Sequence, residues 1–254
     1  MIQSANESVD FVGAINALSQ DDPFACRIIS LFSCYPPQFV FVDYWLIRDD
    51  VSDEVTGAIA RNGSNFILLL TEATDLEEVS SFMRVAGASG VICNGEYVLD
   101  LNRPSFSGPV LVSSEISETD CGTELIAPDI NEAYELLAGC ADDYFHPPAF
   151  EDFYVDVNHK LRHNVISLVG VQADGMLAAI AMTVAESDKG AVLGAVACRP
   201  EYRKHGYGSQ VVRSLTARLL AQNKRVYLHR AQDANVSFYE KLGFRECGTW
   251  REYN

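Results

Sequence analysis

Long apolar stretches are missing from this sequence. The longest run, Phe66 to Leu70, has five residues, far short of the roughly 20 a membrane-crossing helix needs, so no membrane association is expected. Paired cysteine spacing is missing too. The seven cysteines (26, 34, 93, 121, 140, 198 and 247) are odd in number and contain no Cys-x-x-Cys. That argues against a disulfide framework and against a zinc site, and fits reduced thiols in a cytoplasm with no bound metal. The opening "MIQSANESVD" has no basic region leading into an apolar core, so no secretory leader is expected. Basic residues are scarce: 19 Lys and Arg face 35 Asp and Glu, a net charge of −16. Such a surface repels nucleic acid. The hydrophobic share of 48% excludes a disordered chain and is that of a soluble globular protein.

The scarce cations are concentrated at one end. Residues 199–254 hold 11 Lys/Arg against 5 Asp/Glu, a balance of +6, whereas residues 1–198 hold 8 against 30, a balance of −22. Within the basic part, "RPEYRKHGYGSQ" at 199–210 packs three cationic residues and one histidine around two glycines. Local positive charge in an acidic protein points to an anion site.

Hydrophobic periodicity divides the chain into two halves, with the boundary near 128, in the polar segment 113–130. In the first half, "DPFACRIISLF" reads as a helix. "QFVFVDYWLIRD" reads as a strand, and "EVTGAIARNGSNFILLLTE" as two strands turning at Asn62-Gly63. "DLEEVSSFMRVAG" is a helix capped near Asp75 and ending by Gly87, and "GVICNG", "EYVLDL" and "PVLVSSEI" read as further strands. In the second half, two helices ("DINEAYELLAGCADDYF" and "PPAFEDFYVDVNHKLRH") precede three antiparallel strands, "VISLVGVQ", "MLAAIAMTVAES" and "AVLGAVAC". A helix near Ser209, the strand "RVYLHRA", the helix "NVSFYEKLG" and a closing strand or hairpin "FRECGTWREY" complete it. The expectation is an α/β fold with a sheet covered on both faces.

The glycine turn joins the third strand to the helix that follows. A helix start carries unpaired amides and the positive end of the helix dipole. Gly206 and Gly208 let the chain bend and leave room for a phosphate to reach those amides. Arg203, Lys204 and His205 add charge at the rim. The spacing lacks the third glycine of a dinucleotide fingerprint and the Gly-Lys-Ser/Thr ending of a Walker loop.

"RPEYRKHGYGSQVV" followed by "FYEKLGF" resembles the GNAT superfamily of N-acetyltransferases, whose pyrophosphate loop reads Arg/Gln-x-x-Gly-x-Gly/Ala. Arg203, Gly206 and Gly208 occupy those positions, and the resemblance covers 129–254. It implies a mixed, mainly antiparallel GNAT sheet flanked by helices, with acetyl-CoA as co-substrate. It places the pyrophosphate on the amides of Lys204, His205, Gly206, Tyr207, Gly208 and Ser209. The pantetheine arm lies along Val196, Ala197 and Cys198, and an amide of that strand polarises the thioester carbonyl. Tyr239 falls where the family protonates the departing thiolate; a phenol pKa lies near that of a thiol. The family's cofactor-contacting asparagine is Gln232 here, with Asn235 as the neighbouring alternative. The strand before the loop has no carboxylate, so Glu186, Glu151 and His163 are candidates for a base, alongside deprotonation through water.

The first half echoes the same order of elements, but its counterpart of the loop reads "TEATDLEE", with four acids and no glycine pair. This implies a degenerate acetyltransferase-like domain over 1–128, against an unrelated small α/β domain. Its acidity favours a cationic amine as acceptor, on a small molecule or a peptide. The implied partners are acetyl-CoA and that amine, with no nucleic acid or membrane; assembly into a homodimer is one role for the first half. A non-catalytic acyl-CoA-binding protein is the alternative to an enzyme, and an unrelated nucleotide or phosphate binder is the third class.

Overall fold

Four helices of the computed structural model begin where an aspartate accepts hydrogen bonds from first-turn amides: Asp10, Asp22, Asp75 and Asp129. Each such cap is worth about 1 kcal/mol to its helix. The structure describes residues 1–5, 10–19, 21–113, 125–141, 146–231 and 235–254. In chain order the elements open with β1 (Ile2–Ser4), α1 (Phe11–Leu18), α2 (Pro23–Cys34), β2 (Val42–Arg48), β3 (Val55–Asn62) and β4 (Asn65–Leu70). There follow α3 (Leu76–Val85), β5 (Gly90–Asn94), β6 (Ser105–Ser113), α4 (Ile130–Ala138) and α5 (Phe150–Arg162). The last are β7 (Leu168–Ala173), β8 (Met176–Glu186), β9 (Gly190–Cys198), α6 (Tyr207–Leu220), β10 (Arg225–His229), α7 (Val236–Lys241) and β11 (Arg245–Tyr253).

Contacts divide the chain into two units. One comprises Met1–Val110 with Cys247–Asn254, the other Leu111–Glu246. This differs from a single cut near 128, because the last eight residues return to the first unit and the second begins inside β6. In the first unit the strand order is β1-β2-β3-β4-β5-β11. Its pairs are antiparallel except β4 with β5. In the second unit, which holds only the last three residues of β6, the order runs on as β10-β9-β8-β7, with β10 parallel to β9 and the β7–β8–β9 run antiparallel.

The second unit shows how its strands were made to be sandwiched. Almost every residue of β8 is buried, as in a strand covered on both faces. Ala179 and Ala181 point to one face, against Val211, Val212, Leu215 and Leu219 of α6. Ile180 and Met182 point to the other, against Leu136, Phe153 and Val157 of α4 and α5. The four α6 side chains are fully buried, and each contributes about 1.5–3 kcal/mol by leaving water.

Three expectations change. "EYVLDL" is not a strand: Glu96–Leu101 is irregular, with Leu99 and Leu101 buried in the first core. The Leu99 amide donates to the Tyr253 hydroxyl at 2.7 Å, so a side chain replaces the ladder partner a strand would need. β1 and α1 lie in a stretch the pattern had left unassigned. The helix after the glycine turn starts at Tyr207, earlier than Ser209. No helix among the described residues is long and apolar enough to cross a membrane.

Candidate functional site

The site begins with a fault in a ladder. β9 pairs with β8 from Ala179/Cys198 through Met182/Ala195, then resumes at Thr183/Leu193, so Gly194 and Val184 face no ladder partner. This is a β-bulge, and Gly194 is the residue that permits it. A Cβ there would lie 2.0 Å from Val184 Cγ1. On its other edge β9 runs parallel to β10, and that register covers Gly190 to Leu193 only, ending at Leu228. From Ala195 to Cys198, β9 keeps β8 on one side, and from Gly194 onward, among the described residues, it has no ladder partner on the side facing β10. The open edge, or slot, is the backbone of Ala195 to Cys198 on that side. Val196 and Cys198 are half-buried and Ala197 is buried.

At the end of the slot the chain turns through a single 3-10 turn, Pro200–Tyr202, into α6. Lys204 (φ 66°) and Gly206 (φ 90°) take the left-handed backbone that makes so short a turn. Gly206 is the N-cap of α6, and no side chain caps the helix. The first intrahelical bond runs from the Gln210 amide to the Gly206 carbonyl at 2.9 Å. The amides of Tyr207, Gly208 and Ser209 therefore have no acceptor within the helix. The Gly208 amide reaches the Cys198 sulfur, and burial pushes the Cys198 thiol up. No protein atom lies within 4 Å of a Cβ added at Gly206, so the mouth of this cradle is open.

The cations divide into two roles. Arg203 Nε donates to the Cys198 carbonyl (3.2 Å) and Arg199 Nε to the Leu177 carbonyl (2.8 Å). The Tyr202 hydroxyl donates to the Ala173 carbonyl at 3.4 Å. These bonds tie the turn to the sheet. Lys204 and His205 are exposed at the rim.

Tyr239 lies on α7, after β10, half-buried against the second core. Its ring packs edge-on to Phe238 (5.0 Å) and Phe244 (5.9 Å). Burial raises the phenol above its ordinary value, and among the described residues its hydroxyl makes no hydrogen bond. Phe238 also reaches Gly208: a Cβ on that glycine would sit 3.9 Å from the ring. The two motifs, far apart in sequence, thus lie side by side. Asn235 precedes α7 at φ 54°, exposed, its carbonyl accepting from the Phe238 and Tyr239 amides. Gln232 lies outside the described residues.

One candidate base is removed. Glu186 sits at the far end of β8, paired with Ala191 rather than with Cys198. Its carboxylate is held by Lys224 Nζ (2.7 Å) and the Thr183 hydroxyl (2.9 Å). It is a buried structural ion pair. Glu151 is an exposed residue of the first turn of α5, and His163 closes that helix, its Nδ1 2.9 Å from the His159 carbonyl.

The first unit repeats the arrangement and closes it. A hairpin (β3–β4) leads through α3 to parallel β5, and the β4–β5 register again covers only the first residues, Asn65 to Ile67. Here the Asn94 side chain enters the gap. It accepts from the Leu70 amide (3.0 Å) and donates to the Leu70 carbonyl (3.2 Å), satisfying both groups as a neighbouring strand would. The helix start is closed too. Asp75 accepts from the Glu77 and Glu78 amides, and the Thr74 hydroxyl accepts from the Thr71 amide.

A strand opened by a bulge thus leads, within an α/β domain, to uncapped amides at a helix start. Residues 130–244 match the acetyltransferase (GNAT) family, so this part of the chain is a GNAT domain, of a family of acyl-CoA-dependent acyltransferases. Among solved structures, a tandem GNAT protein from the clavulanic acid biosynthesis pathway is 15% identical with a TM-score of 0.60. That likeness covers 100% of this chain and 97% of the other. A putative GNAT acetyltransferase from Novosphingobium aromaticivorans is 18% identical over 92% of this chain and 97% of its own, with a TM-score of 0.54. A GCN5-related N-acetyltransferase from Sphaerobacter thermophilus is 10% identical over 100% of this chain and 94% of its own, at 0.59. These likenesses are of fold, and they run through the first unit as well. No curated protein matches the chain.

Sequence reasoning missed Gly194 and Asn94. A lone glycine inside "AVLGAVAC" was the signal for the bulge. Nothing in the sequence around Asn94 marks it as a strand substitute.

Proposed function

We propose that the protein is an acetyl-CoA-dependent N-acetyltransferase with a single cofactor site, in the second unit. The observation that carries this is the open edge of β9 from Gly194 to Cys198, leading directly to uncapped amides at the start of α6. The pantetheine amides pair with that edge, the pyrophosphate sits on the amides of Lys204 to Ser209, and Lys204 and His205 meet its charge at the rim. An amide of β9 beside the bulge polarises the thioester carbonyl. The acceptor amine attacks that carbon, the C–N bond forms and the C–S bond breaks. Tyr239 donates its proton to the departing thiolate, and the proton lost by the amine passes to water. With Glu186 locked to Lys224, no carboxylate of β8 or β9 is placed to take it.

The acidity of residues 1–198 favours a cationic amine on a small molecule or peptide. The test is a screen of amines against acetyl-CoA, following released thiol, with wild type and Tyr239→Phe. The variant should lose most of its turnover and keep its affinity for acetyl-CoA. Unchanged turnover in the variant removes Tyr239 from the mechanism. Tight acetyl-CoA binding with no turnover on any amine moves the chain to the second reading, a non-catalytic acyl-CoA binder, which the absence of a placed carboxylate favours. Binding of ATP in place of acetyl-CoA overturns both.

A further inference from the structure

The first unit contains a second cavity, unrelated to the strand gap closed by Asn94. It lies at the carboxyl end of α3, has a volume of about 180 Å³, and is lined by Met83, Arg84, Gly87, Ala88, Leu101 and Arg103. Its floor is apolar, for Met83 and Leu101 belong to the buried first core. Its polar wall consists of two guanidinium groups. Residues 1–110 contain five arginines, no lysine and fifteen acids, so two of five cations converge on one small hollow.

The two arginines are not equivalent. Arg84 is 3.6 Å from the Asp100 carboxylate and also donates to the Asp100 carbonyl and the Ser81 hydroxyl. Arg103 has no carboxylate within ion-pair reach among the described residues. Its Nη1 holds the Ala88 and Ser89 carbonyls (2.7 and 2.9 Å), which fixes the side chain and covers carbonyls that would repel an anion. Its Nε is buried and has no acceptor. A guanidinium that lines an apolar-floored hollow and has no carboxylate to neutralise it favours an anion there.

We propose that this cavity binds a small monocarboxylate, its carboxylate on Arg103 and its short apolar body on Met83 and Leu101. A hollow of about 180 Å³ with an apolar floor has the size for a short aliphatic acid. Arg84, already paired with Asp100, sets the outer edge.

The chain has four methionines, of which only Met83 lines the cavity, so ¹³C-methyl methionine NMR of the whole chain reads the site directly. Titration with butyrate should move the Met83 signal to saturation and leave the other three in place, while butyramide, its neutral isostere, should not. Arg103→Gln should weaken the butyrate response by about tenfold or more, the loss of one charged hydrogen bond. Ala88→Leu, which fills the hollow from its rim and keeps every arginine, should abolish it in a chain with a wild-type melting curve. The proposal is overturned if Met83 stays still, if butyramide moves it equally, if all four signals drift together as they would with ionic strength, or if either variant responds as wild type does.

Discussion

Replacing Gly194 by alanine adds one methyl group where the bulge leaves no room. The new carbon would stand 2.0 Å from Val184 Cγ1, 3.2 Å from its Cβ and 3.4 Å from its Cγ2. Carbon atoms pack best at about 3.5–4.0 Å. Turning the Val184 side chain relieves the first contact and leaves the second, so β8 or β9 must move. Overpacking of this kind costs about 1–3 kcal/mol. The displaced strand is the one whose edge is proposed to receive the pantetheine, so acetyl-CoA affinity should fall together with the stability of the second unit, by about 5- to 150-fold. Calorimetric titration with acetyl-CoA and chemical denaturation measure the two losses. The double variant Gly194→Ala, Val184→Ala removes both γ carbons and should recover at least about 1 kcal/mol relative to the sum of the single changes. Wild-type binding and stability in Gly194→Ala, or no recovery in the double variant, would refute the account of the bulge.

Other outcomes follow from the same geometry. Gly206→Ala meets no neighbouring atom but forces φ near 90° on a residue with a Cβ, at a cost of about 1–2 kcal/mol. Acetyl-CoA titration should show weaker binding with the fold kept, and unaltered affinity would mean that the loop rearranges freely. Asn94→Ala strips two hydrogen bonds from Leu70 and should destabilise the first unit by about 1–3 kcal/mol without creating a second site; a stoichiometry of two acetyl-CoA per chain would contradict the idea that Asn94 is the whole plug. Burial raises the Tyr239 phenol above its ordinary value, so the proposed acid keeps its proton throughout the neutral range and turnover should fall only above about pH 10. Its folded value is the higher one, so its contribution to stability is complete below about pH 10 and lost as pH rises through the folded value; a rate decline centred near pH 8 would point to another acid.

How much could be read beforehand varied with how local the cause was. The turn at Gly206 was legible because positive φ has few solutions in sequence. The second unit's strands were legible because β8 and β9 bury nearly everything they carry. "EYVLDL" misled because its apolar residues reach the core without a ladder, Leu99 using the Tyr253 hydroxyl from the far end of the chain. The division into units was equally non-local: the pairing of Trp250 to Tyr253 with Val91 to Asn94 depends on residues more than 150 positions apart. Of the site, the cradle and Tyr239 were visible as motifs, while the slot exists only as a difference between two registers.

The position of β11 has a consequence for synthesis. The first unit is translated first, yet Cys247–Asn254, which belongs to it, emerges only after the whole second unit has been made. At about 5–20 residues per second, a partly built sheet with β5 at an unprotected margin waits through the production of the entire second unit. Its most vulnerable interval is therefore during translation, and a chain cut short before Cys247 would be damaged in the part of the protein made earliest.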